Sequence, residues 1–199
     1  MKNFISLLLI VSCFHITKAQ DTLSFTKTEI IYGRKDGMAL TMVRLAPKKN
    51  SNGKAIINVL SGSWISNYNA PWGMSHAIRT SYIYLDKGYT VFAVLPSSQP
   101  RYAIPDIISD VKRAVRFIRY NANEYNIDGN HIGITGESAG GHLSLVVGLS
   151  DDKIDTASKD PVNHVSSRVQ AVAVFYPPTD FLNWGQQNAN LLKKMVPRL

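Results

Sequence analysis

The chain has a single cysteine, Cys13, and five histidines scattered between His15 and His164. One cysteine excludes an internal disulfide. Histidines so far apart supply no metal-ligand spacing, so neither metal nor cofactor is expected. Lys and Arg outnumber Asp and Glu by 22 to 14, a formal net charge of +8, yet they form no run and no stripe interleaved with aromatics. This scatter reads as a solubilising surface and argues against a nucleic-acid partner. No internal repeat, low-complexity tract or linker interrupts the sequence. Its 199 residues have room for one sizeable core, and 45% hydrophobic with 18% charged residues is an ordinary globular balance.

The first twenty residues read as a leader. Lys2 gives a charged start, Phe4 to Ile16 is mostly apolar, and Thr17-Lys18-Ala19 offers small residues for cleavage after Ala19. The apolar run is short for a membrane span. Residues 1–19 are therefore expected to be a signal peptide and 21–199 the folded domain, secreted or periplasmic. Cleavage would remove Cys13 and leave a charge of about +6. Ile10-Val11-Ser12-Cys13 also resembles a lipoprotein signal. Membrane attachment through a lipidated Cys13 is the alternative.

Beyond the leader, strand patterns alternate with helical ones. Phe25–Tyr32 and Met38–Leu45 read as an antiparallel hairpin across a turn at Gly33–Gly37. Buried strands are expected at Ala55–Leu60, Tyr89–Leu95, His131–Thr135 and Val169–Tyr176. Helices are expected over about Ser75–Lys87, from Pro105 to about Tyr120, and after Ser138. In the second of these, Ile107, Val111, Ala114, Val115 and Ile118 share one face. Alternation of this kind predicts an α/β fold, a mostly parallel sheet with helices on both faces.

One stretch carries chemistry: Gly136-Glu137-Ser138-Ala139-Gly140-Gly141-His142. A serine between a strand and a helix, with glycine two residues to either side, is the pattern of a nucleophile elbow. Such a serine stands on a strained turn, and the chain passes so close at 136 and 140 that only glycine fits. The following helix aims its N-terminus at the site, where positive dipole and free amides meet a developing oxyanion.

With Asp110-Val111-Lys112-Arg113-Ala114-Val115-Arg116, Ile127-Asp128-Gly129 and the elbow taken together, the region from Glu29 to Leu182 resembles an α/β-hydrolase. More narrowly, it is similar to secreted bifunctional feruloyl and acetyl-xylan esterases. The resemblance implies Ser138 as nucleophile, the Ala139 amide as one oxyanion donor, and small or polysaccharide-linked acyl esters as substrates. A second donor is implied from Leu60-Ser61-Gly62-Ser63-Trp64, which replaces the family's His-Gly-Gly-Gly-Trp. Gly62 and Ser63 are the candidates there. Trp64 packing over the sheet edge is the plainer role for this loop.

A serine hydrolase also needs a base and an acid, in the order Ser, Asp or Glu, His. No histidine follows His164. The resemblance implies further strands carrying both groups, so the expectation is a hydrolase fold truncated before its last strands. His142, four residues after Ser138, reads as a structural helix residue, His164 as solvated, and His76, which follows the oxyanion loop, as a surface residue with a place at the pocket border as the alternative. Asp180 is kept as a candidate acid, although Pro177-Pro178-Thr179-Asp180 reads as structural. Two functions remain open: an ester hydrolase acting through an acyl-enzyme on Ser138, or an inactive remnant that binds an ester or a sugar.

Overall fold

The computed structural model describes residues 24–183. The leader expected over 1–19 and the weakly patterned end beyond Asn183 lie outside the described residues. The hairpin forms as the alternation predicts, from β1 (Phe25–Lys35) and β2 (Met38–Pro47), paired antiparallel. The turn is tighter than Gly33–Gly37. A register shift between Ile31 and Gly33 lets β1 run on to Lys35, and Asp36 and Gly37, both at positive φ, close the hairpin.

Then follow β3 (Ala55–Val59), α1 (Met74–Leu85), β4 (Thr90–Leu95), α2 (Ile104–Tyr120), β5 (Ile132–Glu137), α3 (Ser138–Leu149), a short 3-10 turn at Pro161–His164, and β6 (Ala171–Phe175). The six strands form one sheet in the order β1-β2-β4-β3-β5-β6. β3, β4, β5 and β6 run parallel, and β2 joins β4 antiparallel.

Period-two alternation divides the core between two faces. Phe92 and Val94 of β4 face the layer holding α2 and α3, with Ile107, Val111, Ile118 and Leu143. Val91, Ala93 and Leu95 face α1, with Met74, Ala77 and Leu85. α2 begins as its sequence directs. Pro105 sits in the first turn, and the Asp106 carboxylate accepts from the Ala103 amide at 3.1 Å.

One expectation is corrected. The strand at Val169–Tyr176 is not buried. Among the described residues β6 pairs with β5 alone. Only Val172 and Val174 are half-buried, Val172 against the α2–α3 core, while Ala171, Ala173 and Phe175 on the other face are exposed. An apolar sequence marks a strand that can be covered on both sides. Position in the sheet decides whether it is.

The topology places a site. From β3 the chain crosses to β4 on one side. From β4 it returns over β3, through α2, to β5 and then β6 on the other. Strand order therefore reverses between β3 and β5. The carboxyl ends of two parallel strands at such a reversal leave a crevice open to ligand. The loop after Val59 and the turn after Glu137 stand there together.

Candidate active site

Ser138 is the first residue of α3 and has φ +51°, the left-handed conformation expected at the apex of the elbow. Its flanking glycines are dictated by packing. A Cβ on Gly136 would lie 2.5 Å from the backbone of Gly140, and a Cβ on Gly140 only 2.2 Å from the Val59 carbonyl oxygen. This close approach seats the start of α3 on the end of β3. The Gly140 amide donates to the Ser61 carbonyl at 3.0 Å, joining the elbow to the loop after β3.

That loop is a two-residue turn. Gly62 and Ile65 exchange backbone hydrogen bonds at 3.0 and 2.9 Å, and Ser63 and Trp64 between them have φ +50° and +59°. Two successive positive angles make the type I′ geometry that Asn-Gly usually supplies. Here Trp64 is held in place by burial. Its indole N–H donates to Nδ1 of His142 at 3.2 Å, and its ring packs edge-on against the same imidazole and at a tilt against Phe181.

Ser138, Ser61, Gly62 and Ser63 line one cavity of about 230 Å³. The Gly62 amide, one of the two candidates for the second oxyanion donor, is spent on the Ile65 carbonyl. The Ser63 and Ala139 amides donate to no other atom among the described residues.

The histidines divide differently from the sequence reading. His142 is structural, as expected. Its Nδ1 accepts from Trp64, so the neutral ring carries its proton on Nε2, and burial pushes its pKa down. His164 is exposed, and its Nε2–H donates to the Ser158 carbonyl at 2.8 Å. His76, read by default as a surface residue with the pocket border as the alternative, lines the Ser138 cavity. Its Nε2 lies 3.0 and 3.1 Å from the two Glu137 carboxylate oxygens, and its Nδ1 lies 2.9 Å from the Arg79 guanidinium. With Arg79 donating to Nδ1, Nε2 carries the proton toward Glu137. Both ring nitrogens are thereby occupied.

Glu137 also accepts from the Tyr176 hydroxyl at 2.5 Å. Burial raises the Glu137 pKa, but the hydrogen bonds from Tyr176 and His76 and the charge of Arg79 outweigh it and hold the carboxyl below its ordinary value. An ionised carboxylate thus stands in the cavity wall beside the serine. Asp180 does not line the cavity. It is exposed, accepts from the Leu182 and Asn183 amides and the Asn183 side chain, and its pKa is lowered by those bonds.

Sequence reasoning missed two wall residues, Tyr176 and Trp72, and gave His76 a place at the pocket border only as the alternative. Trp72 lies across Gly62, whose Cβ would come within 2.6 Å of the indole. The one signal available was Glu137, an acid between a glycine and the nucleophile. Its partners come from α1 and from the end of β6, and only the fold unites them.

Residues 43–197 match the BD-FAE family. Esterase LipQ of Mycobacterium tuberculosis is 32% identical over 158 residues, 78% of this chain and 34% of LipQ. An acetylxylan esterase of Xylanibacter ruminicola is 34% identical over 114 residues, 56% of this chain and 22% of that enzyme. The chain spans about a third of LipQ's length and less of the acetylxylan esterase's. Among solved structures, esterase 2 of Thermogutta terrifontis superposes with a TM-score of 0.69 at 21% identity, over 87% of this chain and 62% of that one. An acetyl ester-xyloside bifunctional hydrolase of Caldicellulosiruptor lactoaceticus gives 0.65 at 26%, over 85% and 62%. With its match covering most of its length and its sheet and elbow arranged as described, the chain belongs to the BD-FAE family and has the α/β-hydrolase fold.

Proposed function

We propose that the chain carries the nucleophile and the oxyanion hole of a carboxylic-ester hydrolase. The observation that supports this most is Ser138 itself, exposed on a left-handed turn at a cavity it shares with the Ser61–Ser63 turn. In this reading the Ser138 Oγ attacks the ester carbonyl and gives up its proton to a base. The Ala139 and Ser63 amides hold the oxyanion. Collapse expels the alcohol, and water releases the acyl group from Ser138. Gly62 shapes the turn without donating. Small esters or acyl groups on a polysaccharide are the proposed substrates, supported by the acetylxylan esterase and the acetyl ester-xyloside hydrolase among the similar proteins. The leader-like start of the sequence supports action outside the cytoplasm.

The test is labelling by a fluorophosphonate followed by peptide mapping. A phosphonylated Ser138, absent in Ser138→Ala, is the expected result. Labelling elsewhere, or no labelling at any concentration, overturns it. A second reading, an ester- or sugar-binding protein without turnover, is favoured by the engagement of both His76 nitrogens and of His142 Nδ1 in other hydrogen bonds. Loss of the base leaves a serine hydrolase about 10³ to 10⁴ above water. The 199 residues alone are therefore expected to cleave 4-nitrophenyl acetate at that low level. Ordinary enzyme rates that vanish in Ser138→Ala would show that the chain holds a base other than these two.

A further inference from the structure

A second cavity lies behind the first. It measures about 300 Å³ and is walled by Thr80, Ile83 and Tyr84 of α1 and by Phe175 of β6. Asn58, Glu137 and Tyr176 line both cavities, so these three side chains form the shared wall. Asn58 is fixed within β3, and Glu137 ends β5. Tyr176 is different. It follows the last residue of β6, stands at φ +38° and is 69% exposed, yet its hydroxyl is clasped by Glu137 at 2.5 Å. Glu137 is itself held from the other side by His76, which Arg79 braces. Tyr176 thus lines both cavities with its hydroxyl held by a carboxylate that α1 contacts through His76.

We propose that Tyr176, latched by Glu137, is a gate that limits acyl length. Closed, it confines the acyl group to the cavity beside Ser138. Open, it joins that cavity to the apolar one and admits a long alkyl tail. The proposal rests on the reading of Ser138 as an ester-binding nucleophile. The second cavity suits an alkyl chain because Ile83, Tyr84 and Phe175 give it an apolar side, opposite the polar groups of Asn58, Thr135 and Glu137. Each methylene it buries is expected to tighten binding about fourfold.

The experiment measures binding, so that it stands apart from turnover. In Ser138→Ala protein, 4-nitrophenyl butyrate and 4-nitrophenyl decanoate are titrated by the quenching of tryptophan fluorescence. With Tyr176 in place, the two are expected to bind within about threefold of each other. Adding Tyr176→Ala is expected to tighten decanoate at least tenfold relative to butyrate. Adding Ile83→Trp as well, at an exposed position on the far wall, refills the second cavity and returns the ratio to its starting value. Tyr176→Phe keeps the ring and removes the latch, so it covers the case in which the alanine variant does not fold. It is expected to move the ratio in the same direction by a smaller factor. A folded Tyr176→Ala or Tyr176→Phe protein with an unchanged ratio overturns the gate. So does a gain that Ile83→Trp leaves intact. Failure of fluorophosphonate labelling at Ser138, by contrast, would remove the hydrolase reading while leaving this binding ratio readable.

Discussion

A methyl group at position 140 meets the Val59 carbonyl at 2.2 Å, a contact no side-chain rotation relieves because both parties are backbone. Gly140→Ala must push α3 off the end of β3. It is expected to lower unfolding free energy by about 1–3 kcal/mol, the usual cost of overpacking, in urea titration, and to abolish fluorophosphonate labelling through misplacement of Ser138. Ser61 makes the opposite case. Its hydroxyl is buried and has no hydrogen-bond partner. A buried polar group left unpaired costs about 1–3 kcal/mol, so Ser61→Ala is expected to raise the melting temperature, and a fall would show that the hydroxyl is used. Asp152 supplies a pH dependence. Burial raises its pKa, but the Ser166 and Ser167 hydroxyls, the Ser167 amide and Arg116 lower it further, to about 2. A carboxyl depressed below its unfolded value of about 3.9 contributes stability that is complete above pH 4 and lost as pH falls toward 2. Asp152→Asn is expected to flatten the stability profile between those values, measured by urea midpoints at stepped pH.

Asp152 belongs to a larger arrangement at the scale of elements. Arg113, Arg116 and Arg119 of α2 are spaced three apart and point along one side of the helix. Arg113 binds Asp160 at 2.6 Å, Arg116 binds Asp152 and the Val165 carbonyl, and Arg119 binds the carbonyls of Gly129, Ser166 and Arg168. The polar stretch after α3 is thus strapped to α2, although its sequence reads only as loop. The scatter of Lys and Arg likewise reads as solvent-facing, because three arginines at helical spacing look the same whether they meet water or carbonyls. What was legible in the sequence were the features set by neighbours in the chain: the hairpin, the apolar face of α2, and the elbow with its glycines. What was not legible came from contacts distant in sequence. The Ser138 cavity draws His76 from α1 and Tyr176 from β6, and the spending of the Gly62 amide depends on a turn made by two residues, Ser63 and Trp64, that seldom adopt left-handed angles. Arg116→Ala is expected to loosen the strap, raising hydrogen exchange across residues 151–167 while the amides of β3 and β5 stay protected.

Over the whole molecule, the described sheet begins with a local hairpin and ends on β6, where Phe175 is 50% exposed on the face toward α1. An open apolar edge is a template for pairing with another strand. The 199-residue chain is expected to self-associate with rising concentration in sedimentation, and Phe175→Lys to reduce that association; no change would place the sticky surface elsewhere. The reversal of strand order between β3 and β5 has a consequence in time as well as in space. Only β1 and β2 are paired by a short connection. The seam that carries the site joins residues as far apart as Trp64 and His142, 78 positions in sequence, and such contacts form after the long intervening loops have closed. The Ser61–Ser63 turn is made before α2 is synthesised and Ser138 after it. In a refolding chain the two meet only once the intervening loops have closed, so the appearance of fluorophosphonate labelling at Ser138 is expected to time the closing of the central sheet.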